Sequence, residues 1–585
     1  MPESTDRPRP TDRTEAELGF QPQQAVRWLA PRVLVTTGIQ SAIAAIFGSY
    51  ADKRELQGSL AADLHRHDEP DGEGELWFDF VADLGDGFDA TYTVASLLAA
   101  DTLTVDGQEL PRGRLLVMGG DQVYPFASTR AYEDRSKGPY RAALPAAQGA
   151  SPTLFALPGN HDWYDGLTSF LRVFAQRRPF GGWATEQTRS YFAIQLPHRW
   201  WLLAIDTQFD DYVDSPQLEY FRAATADLRE GDGVILCTSK PAWVDAGSGG
   251  HTKGYDTIEF FDREIVRAKG AHTRVMLSGD KHHYARYAER QEGGRQRITC
   301  GLGGAYLAAT HELPTTLCLP PSASRVRDPS PPAFYDLEAR YPDPDTSRRF
   351  AAGIFRLPWR NPGFWGLTGG FQTVMTLAVL YGLVRTLDEN ERQGFFGLVA
   401  SWAPAFIVGV VLVLGALAFA RLGSPHRVLL ARIFGLLHGI AHIALSVVWS
   451  FVVIWLYRDV LPDGPVQDWA TLVIVLVGTP LAIGFLDSEL VAGYLRLASR
   501  AGINLNEVMA GQSIEDHKGF LRLRLAADGD LTIFPVCVDT VCADWRPEPK
   551  AARSAPWFAP RTPLAPRLIE DPVTVTRVSA RPATR

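Results

Sequence analysis

Between residues 76 and 305 one pattern recurs: a run of apolar and aromatic residues stops abruptly at Asp, Asn, His or Gly. The runs are LWFDFVADLGDG (76–87), RLLVMGGDQVYP (114–125), TLFALPGNHDWYDG (153–166), WWLLAIDTQFDD (200–211), GVILCTSKPAW (233–243) and RVMLSGDKHHY (274–284). Short Val/Leu/Ile runs bounded by turn residues read as buried strands. Helical patterns such as ATYTVASLLAA and SPQLEYFRAATADLRE fall between them. This alternation predicts a layered α/β domain.

A different pattern begins near residue 362. Four long apolar segments follow, over roughly 366–384, 395–420, 433–456 and 469–486. Each approaches the ~20 residues that a helical membrane span needs. Trp365, Trp402, Trp455 and Trp469 stand near their ends, as interfacial aromatics do. Arginines set the orientation. Arg348, Arg349, Arg356, Arg360, Arg421, Arg427, Arg432, Arg496 and Arg500 flank one side, which is therefore expected to be cytoplasmic. An even number of spans puts residues 1–360 and 490–585 on that side too. His438 and His442 share a face of the third segment and are read as interhelical hydrogen-bonding residues, with a haem or metal role as the alternative. The apolar stretch Val33 to Gly48 is short for a span and reads as a docked helix.

Length and charge narrow the classes. A chain of 585 residues exceeds one ordinary core. A net charge of −8 gives no electrostatic reason to bind nucleic acid. Five scattered cysteines form no disulfide framework, and Cys537 and Cys542 read as plain strand cysteines. The polar N-terminus lacks the apolar core of a secretory signal.

In α/β sheets, ligands collect beyond the carboxyl ends of the strands. Here those ends carry Asp83, Asp121, Tyr124, Asn160, His161, Asp162, Asp280 and His282. Oxygen ligands with an imidazole or two suit iron, manganese, zinc or magnesium. A carboxylate placed between two cations can bridge both, the arrangement that dinuclear hydrolases use on phosphoryl groups.

The ordered series DLG (83–85), GDQVY (120–124), GNHD (159–162) and GDKH (279–282) resembles the motifs of the calcineurin-like metallophosphoesterase superfamily. Its D-x-G and G-D-x-x-Y forms are similar to the purple acid phosphatase branch. The resemblance covers about residues 76–310. It implies an αββα sandwich in which Asp83, Asp121, Tyr124 and His282 hold a first metal ion, ferric iron in the branch with this Tyr. Asp121 would bridge to a second ion, also held by Asn160 and here by Asp280, with Mn, Mg or Fe(II) as the fitting ions. Asn160 and His161 would touch substrate. His161 would also protonate the leaving oxygen, with Asp162 orienting it, while hydroxide on the metals served as nucleophile.

Two positions depart from that pattern. Ser239 and Asp280 stand where the superfamily has histidines, so the second site becomes all-oxygen and weaker. His251, in a Gly-rich loop, is an alternative source of imidazole. His283 falls on the other side of an extended segment and reads as a packing or substrate-side residue. GLGGAYLAATHEL (301–313) is similar to the segment that closes the domain in the superfamily, with His311 structural.

The expected organisation is a disordered tail (1–30), the metallophosphoesterase domain (31–319), a Pro-rich linker (320–361) and four transmembrane helices (362–490). A small β-containing segment (491–545) would dock on the catalytic domain, its hairpin formed by HKGFLRLRLAADGDLTIFPVCVDTV, before a disordered tail (546–585). The function expected is hydrolysis of a phosphomonoester or phosphodiester by a cell-membrane-anchored enzyme with a cytoplasmic catalytic domain. Its substrate would be a phosphorylated small molecule or a lipid-linked phosphate, and its other partner membrane lipid. The alternative is a catalytically impaired relative that binds a phosphorylated ligand as a membrane scaffold or sensor. A reporter fused after Arg585 is expected to read out on the cytoplasmic face; an extracytoplasmic signal reverses the orientation.

Overall fold

The computed structural model describes residues 15–47, 52–207, 212–291, 294–387, 394–422, 427–548 and 554–577. The chain divides into two compact units. One comprises residues 1–26, 36–344 and 515–585, and the other 27–35 and 345–514.

The first unit is built on two mixed sheets, of eight and nine strands. In the eight-stranded sheet, Leu76–Val81, Leu115–Met118 and Thr153–Ala156 run parallel, with Val81, Met118 and Ala156 in register. In the nine-stranded sheet, Trp200–Ile205, Gly233–Thr238 and His272–Ser278 run parallel in the same way. Apart from the exposed His272, these strands are buried along their whole length, which is why they read as continuous apolar runs. Helix Phe88–Ala99 shares an apolar core with one sheet, and helices Ser215–Ala224 and Lys253–Phe261 share one with the other. Between the sheets, the rings of Phe155 and Phe192 lie 5.1 Å apart.

The expected hairpin is present as strands Lys518–Leu525 and Leu531–Val538. It does more than dock, because Lys518–Leu525 pairs antiparallel with Leu76–Val81 and so extends the sheet itself. A buried ion pair fixes that join. Arg522 Nε reaches Asp79 Oδ1 at 2.8 Å and Arg522 Nη2 reaches Oδ2 at 3.1 Å, while Nη1 donates to the Leu110 carbonyl at 2.9 Å.

Three boundary expectations are corrected. Residues 15–26 are not a disordered tail, since Phe20 is fully buried and its ring stacks on Phe88. The Pro-rich stretch 320–361 is not simply a linker: Ala333–Tyr341 pairs with Tyr284–Glu289 and buries Tyr335 and Tyr341. The segment beyond 545 is not disordered over 554–577. Arg567–Leu568 and Val573–Val575 pair with Leu531–Val538, and Phe558 packs edge-on against Tyr92. In each case a few aromatic and β-branched residues within a Pro- and Arg-rich stretch bury enough surface to offset ordering entropy. Residues 1–14 and 578–585 lie outside the described residues.

Among its described residues, the second unit contains four helical stretches long and apolar enough to cross a membrane: Pro362–Leu387, Phe395–Arg421, Val428–Val460 and Pro465–Arg500. They fall where the four apolar segments were read. Helix Pro31–Phe47 forms over the Val33 to Gly48 stretch, and Leu34, Val35, Ile39, Ile43 and Ile46 remain exposed. All five cysteines are free.

Removing one partner of the Asp79–Arg522 pair leaves a buried charge uncompensated. Asp79→Ala is expected to destabilise the first unit by about 3–5 kcal/mol, and Asp79→Leu with Arg522→Met to recover most of that loss. Chemical unfolding followed by near-UV circular dichroism reads both; a loss of under about 1 kcal/mol for Asp79→Ala removes the pair from its assigned role.

Candidate metal centre

Strand register brings the first residues of the site together. Val81, Met118 and Ala156 are neighbours, so the chain leaves the sheet side by side toward Asp83, Asp121 and Asn160. From the other sheet, Gly233–Thr238 runs into Ser239 and Lys240, and His272–Ser278 into Asp280, Lys281 and His282. Asp83, Asp121 and Asp280 all have left-handed backbone, with φ of 58°, 52° and 67°. Asp tolerates this region better than most residues, yet each position still costs roughly 1–3 kcal/mol. Two glycines are fixed by close approach. A Cβ on Gly159 would fall on Asp121 Oδ1, and one on Gly301 on Asp83 Oδ2.

The hydroxyl of Tyr124 stands at the centre of the cluster. It lies 3.0 Å from Asp83 Oδ1, 3.2 Å from Asp121 Oδ2 and 3.0 Å from His282 Nε2. His282 Nε2 is 3.9 Å from Asp83 Oδ1. The Asp280 amide donates to Asp83 Oδ1 at 3.1 Å, and the His161 amide to Asp121 Oδ1 at 2.9 Å. Asn160 completes the group. With its amide nitrogen turned toward the acids it donates to Asp280 Oδ1 at 3.1 Å and Asp121 Oδ2 at 3.3 Å. In the opposite setting Nδ2 donates to Tyr164 at 3.3 Å, and the carbonyl oxygen faces the carboxylates.

The cluster has more acceptors than protons to share. A phenol has one proton, so it satisfies one of the two carboxylates. Asp83 Oδ2 is buried with no hydrogen-bond partner. Burial, then the Asp121 and Asp280 charges, push Asp83 well above the usual carboxylate range. Asp121 is also raised, by burial first. Burial holds His282 neutral, with its pKa pushed down to about 3, the state in which imidazole binds metal. The spacings near 3 Å match the separation of adjacent ligand atoms on an ion with bonds of about 2.1 Å. These residues therefore fit a cation. Among the described residues, no group of three or more His, Cys, Asp and Glu side chains is preset to hold an ion by those types alone. The Tyr124 oxygen and the Asn160 amide are integral to the set.

The second position differs. Ser239 is buried, and its Cβ lies 3.4 Å from where a Cβ on Gly120 would stand, so it does occupy the wall beside Asp121. Lys281 Nζ pairs with Asp280 Oδ2 at 3.0 Å. Burial would raise the Asp280 carboxyl, but Lys281 and then Lys240 overcome it and hold it down to about 2. Positive charge at this position thus comes in part from lysine.

Three residue roles change. Asp162 is fully buried and accepts from Gly159 N at 2.8 Å, Gln122 N at 3.3 Å and the Tyr132 hydroxyl at 2.5 Å, which fixes the GNHD turn. The His161 ring is held instead by the Pro125 carbonyl, 2.6 Å from Nδ1. A carbonyl only accepts, so Nδ1 carries the hydrogen and Nε2 is left for chemistry. His283 is 4% exposed, which favours its packing role. His251 is exposed and lines a separate groove with Tyr212, Lys253 and Asp256. Sequence reasoning passed over Lys281, Tyr132 and Tyr306, whose ring stands edge-on 4.4 Å from His282. Of these, only Lys281 carried a signal, as the neighbour of Asp280.

No family model matches the chain, and no curated protein does. Among solved structures it is similar to a purple acid phosphatase, PPD1, isolated from yellow lupin (Lupinus luteus) seeds. That match has 13% identity over 42% of this chain and 47% of that one, with a TM-score of 0.28. It is also similar to PhoD, at 13% identity over 41% of this chain and 58% of that one, with a TM-score of 0.27. The chain spans about half the length of the solved structures it matches.

Because Asp83 is raised when folded, the metal-free protein loses stability as pH climbs from about 4, the ordinary carboxylate pKa, toward the folded value. Asp83→Asn is expected to flatten that decline in chelator. Thermal midpoints of both proteins across pH 4 to 8 decide it, with parallel curves counting against Asp83 as the source.

Proposed function

We propose that the chain is a metal-dependent phosphoesterase, its two sheets and outer helices forming an αββα metallophosphoesterase sandwich. The observation that carries this reading is the acceptor surplus around Tyr124. Asp83 Oδ1, Asp121 Oδ2 and His282 Nε2 all converge on one phenol oxygen, with a buried and unpartnered Asp83 oxygen behind them. Buried acids gathered this closely call for a cation.

Asp83, Asp121, Tyr124 and His282 would hold one ion, ferric iron being suited to the phenolate. Asp121, Asn160 and Asp280 would hold a second, such as Mn, Mg or Fe(II). Bound there, the ions would supply positive charge against a phosphoryl group and acidify water. The chain's own groups do the rest. With Nδ1–H fixed on the Pro125 carbonyl, His161 in its protonated form presents Nε2–H to a leaving oxygen. Asn160 serves the substrate as well as the ion. Lys281, half-exposed beside Asp280, sets a fixed positive charge at the mouth that favours phosphate.

The substrate class is a phosphomonoester or phosphodiester, on a phosphorylated small molecule or a lipid-linked phosphate. The four apolar helices support placement in the cell membrane, in contact with lipid, and the flanking arginines support a cytoplasmic catalytic unit. A second reading has its own support. The Lys281–Asp280 pair occupies an acid that the second ion needs, which favours a relative that binds a phosphorylated ligand without hydrolysing it.

Metal analysis with a phosphatase screen separates the two. The enzyme reading expects bound metal and turnover of at least one ester, lowered about 100-fold or more by Asn160→Ala or His161→Ala. Metal-loaded protein that turns over no monoester, diester or nucleotide leaves the binding reading in place. For ferric iron, Tyr124→Phe is expected to abolish a visible phenolate band; its persistence removes Tyr124 from the ligands.

A further inference from the structure

His438, His442, Ser446 and Ser450 recur at four-residue spacing in helix Val428–Trp455, so they form one stripe along it. All four are buried in a helix that is otherwise almost wholly apolar. His442 Nδ1 lies 2.5 Å from Asp487 Oδ1 of helix Gly484–Arg500. On its other side, His442 Nε2 lies 2.9 Å from His438 Nε2. The His438 ring lies flat on Tyr494, 4.0 Å between centroids. Gln372 of helix Pro362–Leu387 donates to the His442 carbonyl at 3.2 Å and accepts from the Ser446 hydroxyl. His442 is 14 residues from one end of the stretch Val428–Val460 and 18 from the other, close to its middle.

Counting protons along this line leaves one end open. With the Asp487 carboxylate accepting, the first hydrogen sits on His442 Nδ1. His442 Nε2 is then bare and accepts the hydrogen on His438 Nε2. His438 Nδ1 is left bare, and it is buried without a hydrogen-bond partner. Thr376 Oγ1 and Ser488 Oγ, in the same unit, are also buried without partners. Polar groups that only fasten helices together need not titrate, since amides and hydroxyls suffice. Three titratable groups in a row are costly in an apolar bundle and mark ion pathways. The groups facing the line from neighbouring elements are Gln372 of the first span and Tyr494 of the fourth. Beyond Tyr494 stand Asn504, which accepts its hydroxyl at 2.7 Å, and Glu507. Helix Phe395–Leu422 has Arg421, at its end, as its one charged side chain.

We propose that Asp487, His442 and His438 form a proton relay within the helical unit, and that this unit moves protons. A proton from water joins His438 Nδ1. The hydrogen on His438 Nε2 passes to His442 Nε2, and that on His442 Nδ1 passes to Asp487 Oδ1. The line has then gained one proton and lost one negative charge, which lowers its cost in an apolar surrounding. Release of the proton from Asp487 and rotation of the rings restore the start.

The test uses the full-length protein in liposomes that enclose pyranine, with an inward proton gradient and a potential clamped by potassium and valinomycin. Wild-type vesicles are expected to acidify about tenfold or more faster than protein-free ones. Asp487→Asn and His438→Ala are each expected to return the rate to the protein-free level. His438→Ala keeps the cross-helix pair of His442 with Asp487, so helix packing is retained in that variant. Wild-type vesicles no faster than protein-free ones overturn the relay, as does either variant conducting like wild type.

Discussion

Acids buried close together set the terms for the first unit. Asp83, Asp121 and Asp280 approach one another at the ends of strands from two sheets, and burial together with the Asp280 charge disfavours the ionised forms of Asp83 and Asp121. Three means hold them. Left-handed backbone at all three turns the chain sharply enough to aim the carboxylates inward. Gly159 and Gly301 let backbone come within contact of the acids where any side chain would collide. Backbone amides of Asp280 and His161 then donate to Asp83 and Asp121. Such strain persists where the surrounding fold over-determines it.

The over-determination comes from distant parts of the chain. Strand Leu76–Val81, which delivers Asp83, lies between Leu115–Met118 and the hairpin strand Lys518–Leu525. More than 400 residues of sequence separate Asp79 from Arg522, yet their buried pair locks that strand. The helical unit is encoded between the two halves of this sheet, so the first unit closes only after the apolar helices have been passed. The polar line of Asp487, His442 and His438 follows a comparable economy, with titratable groups kept in an apolar bundle by short bonds to one another.

Much of this was legible along the chain. Abrupt stops of apolar runs at Asp, Asn and His marked strand ends, because a buried strand must change composition where it meets a ligand. Asp83, Asp121, Tyr124, Asn160 and His282 were found that way and do converge. The four long apolar segments were legible for the same reason, length and composition being sufficient for a helix in an apolar medium. The tails were misread because composition averages over a stretch, whereas one Phe20 or one Phe558 in the right pocket is enough to order it.

What the sequence by itself determined, then, was the set of residue types available to the site and the order in which strands present them. Tertiary structure alone decided which neighbour each side chain meets. Asp162 holds the turn, and the Pro125 carbonyl, not Asp162, holds His161. Lys281 pairs with Asp280, and His442 with an aspartate on another helix. The reason is physical. Local pattern fixes the face on which a side chain emerges, but hydrogen-bond partners across a fold are set by the register of strands and helices far apart in the chain.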